Sequence, residues 1–299
     1  MLPRWFKWRP SHWARPWQDE LRILVQPHSL ILLRMKRHLG RKMVDYEEVR
    51  INEVSGAGLN PSDDSSQLPV QSERGNDAKS IIAALHKQLQ SRRWQGCRPR
   101  VAISNQLMHY VVVPWNAALG GREEQDAFIR HGFTQTYGDC VRGWDIRSTP
   151  PKYGVTRLAS AIDQDFLQAL RETFRQAGMP VRHIHPHLMM AINMLRQQLG
   201  KHTITDSFSF VMLEHQQLVI ALIRQGQWLS LQSYAAEHAL EEQLQALLGR
   251  EAIIAGVDNS QWPVVFYTTT RTEKVSLPGY KVYNLLHHAQ LHHGLEAWH

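Results

Sequence analysis

Twice along its 299 residues the chain lays down the same unit, strand, turn, strand, turn, strand, each time followed by a helical pattern. A duplication of that kind confines a chain to α/β folds built from two related sheets. The later copy runs from Phe208 to Tyr234. Phe208, Phe210 and Met212 in its first run, and Leu218, Ile220 and Leu222 in its second, alternate with the period of a strand, and Gln225-Gly226 falls where a hairpin reverses. In the earlier copy, from Leu21 to Glu53, Ile23 and Val25 are answered by Leu30 and Leu32 across Gln26-Pro27-His28, and Arg37 to Arg41 make the second turn. The copies start about 185 residues apart, which predicts two lobes, each with its own apolar core.

The chain between the copies is mixed. From Val54 to Lys79, Gly, Ser, Asp, Pro and Asn dominate without apolar periodicity, which predicts a solvated, mobile insertion in the first lobe. A helix is expected from about Ala78, on the stripe Ile81, Ile82, Leu85 and Leu89. Arg100 to Trp115 reads as a hairpin, with Val101 and Ile103 turning at Asn105-Gln106 into Leu107 to Val113, closed by Pro114. A helix from Arg122 to Tyr137 carries Phe128, Ile129 and Phe133 inward, and strands follow around Trp144 to Ile146 and Val155 to Ile162. Asp163 caps a helix with the stripe Phe166, Leu170, Phe174 and Ala177, stopped by Gly178-Met179-Pro180. A short strand, Val181 to Ile184, hands over at Pro186 to a helix bearing Leu188, Ala191, Ile192, Leu195 and Leu199. Beyond the second triplet come a helix from Glu237 to Leu248, the strand Val264 to Tyr267 and a His-rich tail.

No run of eighteen apolar residues is present, so no membrane-spanning helix is expected. Trp and Arg interleaved up to Pro16 leave no apolar core for a secretory signal. Cys97 and Cys140 are too few and too isolated for a disulfide framework or a zinc site, which points to a reducing compartment. The chain carries 34 Lys and Arg against 27 Asp and Glu, a net +7, and residues 1–50 alone hold 11 basic against 5 acidic side chains. Residues 1–18 are the extreme case: Trp5, Phe6, Trp8, Trp13 and Trp17 alternate with Arg4, Lys7, Arg9 and Arg15, without one acid. Two readings stand. One is a surface-seeking arm, with indole rings at a lipid headgroup boundary or in a partner's groove and cations beside anionic groups. The other folds the tryptophans back onto the protein's own body. Nucleic acid has thinner support, because the stacking aromatics and Arg come without a matching fold motif.

Three local phrases add to the order of elements: Ala161-x-Asp163-x-x-Phe166-Leu167-x-x-Leu170, a Gly178-x-Pro180 connector with Pro186 beyond it, and Asn193 in the next helix. Together, over roughly residues 20–270, they resemble the actin-like proteins of bacterial type IV pilus and type II secretion machines, the family of PilM and the cytoplasmic part of GspL. The resemblance implies an α/β, two-lobed actin-like (ribonuclease H-like, duplicated) fold with mixed sheets and an inserted subdomain. On that frame residues 1–19 are the arm, 20–113 the first lobe with the mobile insertion at 54–79, and 114–162 an inserted αββ subdomain. Residues 163–186 return to the first lobe and connect, 187–286 form the second lobe, and 287–299 the tail. It also implies a cytoplasmic place, peripheral to the inner membrane, and a protein partner, the cytoplasmic tail of an inner-membrane assembly protein.

An actin-like ATPase places an acid and a Gly in the turn after the first strand of each lobe, so that main-chain N–H groups reach the phosphates and the carboxylate organises Mg²⁺. Here the first turn is Val25-Gln26-Pro27-His28, where Gln26 has no charge and Pro27 removes a donor. The second is Leu213-Glu214-His215-Gln216, where Glu214 can touch a magnesium-bound water but no Gly allows close backbone approach. Thr268, Thr269 and Thr270 stand where the adenosine site needs a Gly-Gly turn, and no P-loop or Gly-x-Gly-x-x-Gly occurs. These departures predict degenerate nucleotide motifs: no cofactor, ATP included, and no catalytic residue.

Other candidates are weaker than their structural readings. His183, His185 and His187 alternate as zinc ligands on a strand would, but Pro186 interrupts them and no Cys or acid is near in sequence. His288 and His292 in the tail can chelate adventitiously, and Ser104, Ser230 and Cys140 lack any nucleophile motif. Asp63-Asp64 fall in the insertion and Glu241-Glu242 on a solvated helix face. Two functions remain: a non-catalytic scaffold that binds the tail of a membrane-anchored partner, with possible peripheral contact to anionic membrane, and a residual ATP-binding protein or weak ATPase of the actin, Hsp70 and sugar-kinase class, with Glu214 its only acid.

Overall fold

The structure, a computed structural model, describes residues 18–38, 40–51, 72–198, 206–268 and 274–286. Within it the duplication is realised strand for strand. β1 (Glu20–Val25), β2 (Ser29–His38) and β3 (Gly40–Arg50) form an antiparallel meander. β4 (Arg98–Ile103) adds parallel to β1 on its other side, and β8 (Ile184–Pro186) completes the order β3-β2-β1-β4-β8. The second sheet repeats that plan with β9 (Phe208–Glu214), β10 (Gln217–Arg224), β11 (Gln227–Ala235), β12 (Val264–Thr268) and β13 (Val282–Leu286) in the order β11-β10-β9-β12-β13. Again the first strand is antiparallel to the second and parallel to the fourth.

Register follows the apolar pattern. Ile23 lies opposite Leu32 and Val25 opposite Leu30. A slip of one residue would send every one of these side chains to the wrong face. In the β10–β11 hairpin Gln225 and Gly226 both have positive φ, 51° and 73°, the mirror-image turn whose twist matches that of the flanking strands.

Period 2 also decides the layers. Phe208, Phe210 and Met212 of β9 share a core with Leu188, Ala191 and Leu195 of α4 (His187–Gln198). Val211 and Leu213, on the other face, meet Leu240, Leu244 and Leu248 of α5 (Leu240–Ala255). The sheet is thus sandwiched between helices, and each fully buried Phe or Leu contributes roughly 2 kcal/mol. A third sheet, β5 (His109–Val113), β7 (Arg157–Asp163) and β6 (Trp144–Ser148), is antiparallel throughout in the order β5-β7-β6. Ile129 and Phe133 of α2 (Arg122–Tyr137) close a core on it with Trp144 and Val113.

The chain forms two compact units. One contains the described residues up to Leu107 together with Asp165–His185, including α1 (Ser72–Leu89) and α3 (Gln164–Gln176); the other contains Met108–Gln164 and the described residues from Pro186 on.

Several boundaries differ from those expected. Arg100 to Trp115 is not a hairpin: a 3-10 turn at Asn105–Leu107 redirects the chain, so that β4 pairs with β1 while β5 joins β7 in the third sheet. Alternating apolar residues mark a strand but not its neighbour. The third sheet accordingly begins at His109, five residues before the expected inserted subdomain. The helix expected from Ala78 starts at Ser72, inside the stretch read as an insertion, and residues 52–71 lie outside the described residues. The strand expected at Val181 to Ile184 is displaced to Ile184–Pro186, and the helix expected over Glu237 to Leu248 runs from Leu240 to Ala255. Residues 1–17, with Trp5, Phe6, Trp8, Arg9, Trp13 and Trp17, also fall outside the described residues, as do Asp63, Asp64, Thr269, Thr270, His288 and His292.

Candidate functional site

A nucleotide site in a duplicated fold of this kind is built on the turns that follow the first strand of each sheet. After β1 the chain closes on itself. The Gln26 backbone N–H donates to the Ser29 carbonyl at 3.0 Å, and the Ser29 hydroxyl donates to Gln26 Oε1 at 2.7 Å. Gln26 is buried and Pro27 has no N–H, so two of the main-chain donors a phosphate would need are committed or missing. The adjoining end of β4 is polar and buried too: the Ser104 N–H donates to the Val25 carbonyl, and its hydroxyl accepts from the Gln106 N–H. Ser104 therefore serves the backbone at the start of the 3-10 turn, as expected for a lone Ser.

At the end of β9 Glu214 is fully buried, and its carboxylate is hydrogen-bonded to Nδ1 of His187, the first residue of α4. With Nδ1–H donated to Glu214, Nε2 is left to accept from the hydroxyl of Tyr267 on β12, 3.3 Å away. Burial, and secondarily the Glu214 charge, push the Tyr267 phenol well above its ordinary pKa and keep it a donor. Tyr110 of β5 is buried and is raised in the same way, again by burial first and Glu214 second. The result is a tyrosine–histidine–carboxylate chain with every member at 1% exposure or less. It is a relay in geometry and a tie in effect: it pins β9, β12 and α4 to one another and offers no surface to a substrate. His215, next in the turn, takes a positive φ of 48° with its side chain exposed, where glycine would bring the backbone closest to a ligand.

The three alternating histidines do not gather. His183 and His185 stack with ring centroids 6.0 Å apart, while His187 belongs to Glu214. Burial, then His183 and Arg100, hold the His185 imidazole at a pKa of about 4, and burial followed by Arg98, Arg100 and Arg182 lowers His183 as well. Among the described residues no three His, Cys, Asp or Glu side chains are placed to hold a metal ion.

Two buried ionic groups add to what the sequence pattern predicts. On β1, Glu20 takes the Arg22 guanidinium at 2.7 Å and also pairs with Arg100 of β4, which the parallel register sets beside Arg22. All three are buried. The signal was present as charges at i and i+2 of a strand, which ordinarily mark a solvated face. On α5, Glu251 is buried and accepts from the hydroxyls of Ser230, at 2.9 Å, and Tyr234, both on β11. Ser230 is thereby a structural donor. Cys140 is exposed, its thiol donating to the Tyr137 carbonyl, and burial raises the pKa of the Cys97 thiol to about 11, far from a reactive thiolate. Glu241 and Glu242 sit in the first turn of α5, where carboxylates favour the helix dipole.

The two sheets of order 3-2-1-4-5, the helical layers and the third sheet define an actin-like α/β fold. Solved structures bear this out. The cytoplasmic domain of EpsL, an inner membrane component of the type II secretion system of Vibrio cholerae, matches at 10% identity over 94% of this chain and 93% of its own, with a TM-score of 0.58. The PilM-PilN type IV pilus biogenesis complex matches at 12% identity over 85% of this chain and 82% of its own, with a TM-score of 0.53. A Bacteroides thetaiotaomicron protein of actin-like ATPase fold and unknown function matches at 11% identity over 89% and 87%, with a TM-score of 0.51. No protein-family model and no curated protein sequence matches the chain.

Proposed function

We propose that this chain is a non-catalytic scaffold on the cytoplasmic face of an inner membrane, part of an assembly platform of the type II secretion or type IV pilus kind, where it binds the cytoplasmic tail of a membrane protein. One observation carries the reading: in an actin-like fold matching nearly the whole of the EpsL cytoplasmic domain, the only acid at either phosphate turn is consumed by His187. A carboxylate in that bond cannot also orient the water shell of Mg²⁺ without leaving an imidazole unpaired in the core. The closed Gln26–Ser29 turn supports the same conclusion, that no cofactor is bound. Among the described residues no helix is long and apolar enough to cross a membrane, which fits a peripheral place. The arm at residues 1–19, with Trp5, Phe6, Trp8, Arg9, Trp13 and Trp17, adds contact to the partner or the bilayer.

The test has two parts. Titration with a fluorescent ATP analogue, with and without Mg²⁺, is expected to show no saturation up to millimolar nucleotide; micromolar affinity would establish the nucleotide-binding alternative instead. Capture from native membranes is expected to enrich a protein with a cytoplasmic tail, and a synthetic peptide of that tail to compete. Removal of residues 1–18 weakens this capture or vesicle sedimentation if the arm contributes, and leaves both unchanged if it does not.

A further inference from the structure

We infer that the pair Trp115 and Tyr153, at one end of the third sheet, is an interfacial contact with a lipid bilayer. The register of the sheet puts both rings at that end. Val113, the last residue of β5, lies opposite Arg157, the first of β7, and Ser148, which ends β6, lies opposite Ala159. Residues 114–121 and 149–156 therefore leave the sheet side by side. Their roots are fixed. The Arg157 guanidinium donates to the Thr149 carbonyl at 3.0 Å and to Gln125 Oε1 of α2 at 3.2 Å, and the Thr156 hydroxyl donates to the Trp228 carbonyl at 2.9 Å. Beyond the roots the Val155 N–H donates to the Lys152 carbonyl at 3.2 Å, which makes Tyr153 and Gly154 the corners of a reverse turn. Gly154 has a φ of 68°, the second-corner conformation of a type II turn, which favours glycine and sets Tyr153 at the apex.

The two rings meet edge to face with centroids 4.8 Å apart, yet both stay in solvent. Trp115 is 40% exposed and Tyr153 86%, the highest value of any large apolar side chain among the described residues. Pro114, Pro150 and Pro151 beside them are exposed as well. Neither loop contains an acid, and their one charge is the exposed Lys152, whose stem can lie along an apolar surface while its ammonium stays in water. The acids that follow, Glu123 and Glu124, open α2, and the Glu124 carboxylate accepts from the N–H groups of Gly120 and Gly121. A cluster of exposed apolar groups on rigid roots marks an interaction surface. A peptide groove is concave and uses its aromatic rings as walls, whereas this pair forms a projecting tip. A bilayer accepts a tip. Trp and Tyr settle at headgroup level with the ring inward and the N–H or hydroxyl hydrated, and Lys152 complements anionic headgroups.

This contact is separate from the N-terminal arm and from capture of a partner tail, and the assay keeps the arm in place. Sedimentation of the full chain with phosphatidylcholine vesicles containing about one third phosphatidylglycerol, at about 0.1 M salt, reads it. Trp115→Ala combined with Tyr153→Ala is expected to lower vesicle affinity by about tenfold or more, because binding scales with the apolar area buried. The unfolding midpoint and the molar mass by light scattering stay at the parent values, since both rings already face solvent. Tyr153→Trp keeps or raises the affinity, and Lys152→Gln lowers it by up to about fivefold. Vesicle binding at the parent level by the double alanine variant overturns the inference, and loss of native-membrane capture by that variant then assigns the pair to a protein partner. A fall in molar mass assigns the pair to a second copy of this chain and overturns the inference as well. A parent chain that ignores the vesicles also overturns it, and leaves partner capture to be decided by its own assay.

Discussion

Nδ1 of His187 and the carboxylate of Glu214 meet in a hydrogen bond with no solvent access, 27 residues apart in sequence and at the junction of the strand β9 and the helix α4. The bond makes the acid that ends β9 a structural member of the core.

Breaking that pair from one side strands the other partner. His187→Ala and Glu214→Ala are each expected to cost about 3 to 5 kcal/mol in urea unfolding. His187→Leu combined with Glu214→Met costs less than either single change, because no buried polar group is then left over. Additive losses in the double variant would refute the coupling.

Glu20 stands between two buried guanidinium groups, Arg22 and Arg100. Glu20→Ala leaves both cations in the core without their shared anion and is expected to destabilise by about 3 kcal/mol or more, the largest loss of any single change on β1. Asp45→Asn, at a half-exposed pair with Arg93, is expected to cost about 1 kcal/mol or less. Thermal unfolding of the two variants separates the cases.

The His185 pKa lies near 4, below the ordinary value near 6.5, because burial and then the neighbouring His183 and Arg100 disfavour its cation. The unfolded chain therefore takes up the proton first on acidification. The stability this residue contributes is complete above pH 6.5 and is lost at up to ~1.4 kcal/mol per unit as pH falls toward 4. His185→Leu should flatten that part of the pH–stability curve. A slope unchanged by the substitution would assign the titration elsewhere.

The two antiparallel strand triplets and their register are legible because they repeat. Ile23 and Val25 against Leu30 and Leu32 specify one pairing, and the recurrence of that pattern in Phe208 to Tyr234 specifies the second sheet. The hairpin read from Arg100 to Trp115 failed for a related reason: two adjacent apolar runs pair by default, and nothing in Asn105 to Leu107 announces that the second run leaves for another sheet. His187 alternates in sequence with His183 and His185, yet α4 begins at His187 and carries its ring to Glu214.

By itself the sequence determined the duplicated α/β plan and the concentration of positive charge in residues 1–50, since periodicity and net charge are properties of the linear order. Which buried polar groups meet was decided only in three dimensions. The partners of Glu214, Glu20 and Glu251 come from other strands and helices, and a carboxylate's role depends on which donors the packed core brings within hydrogen-bond reach.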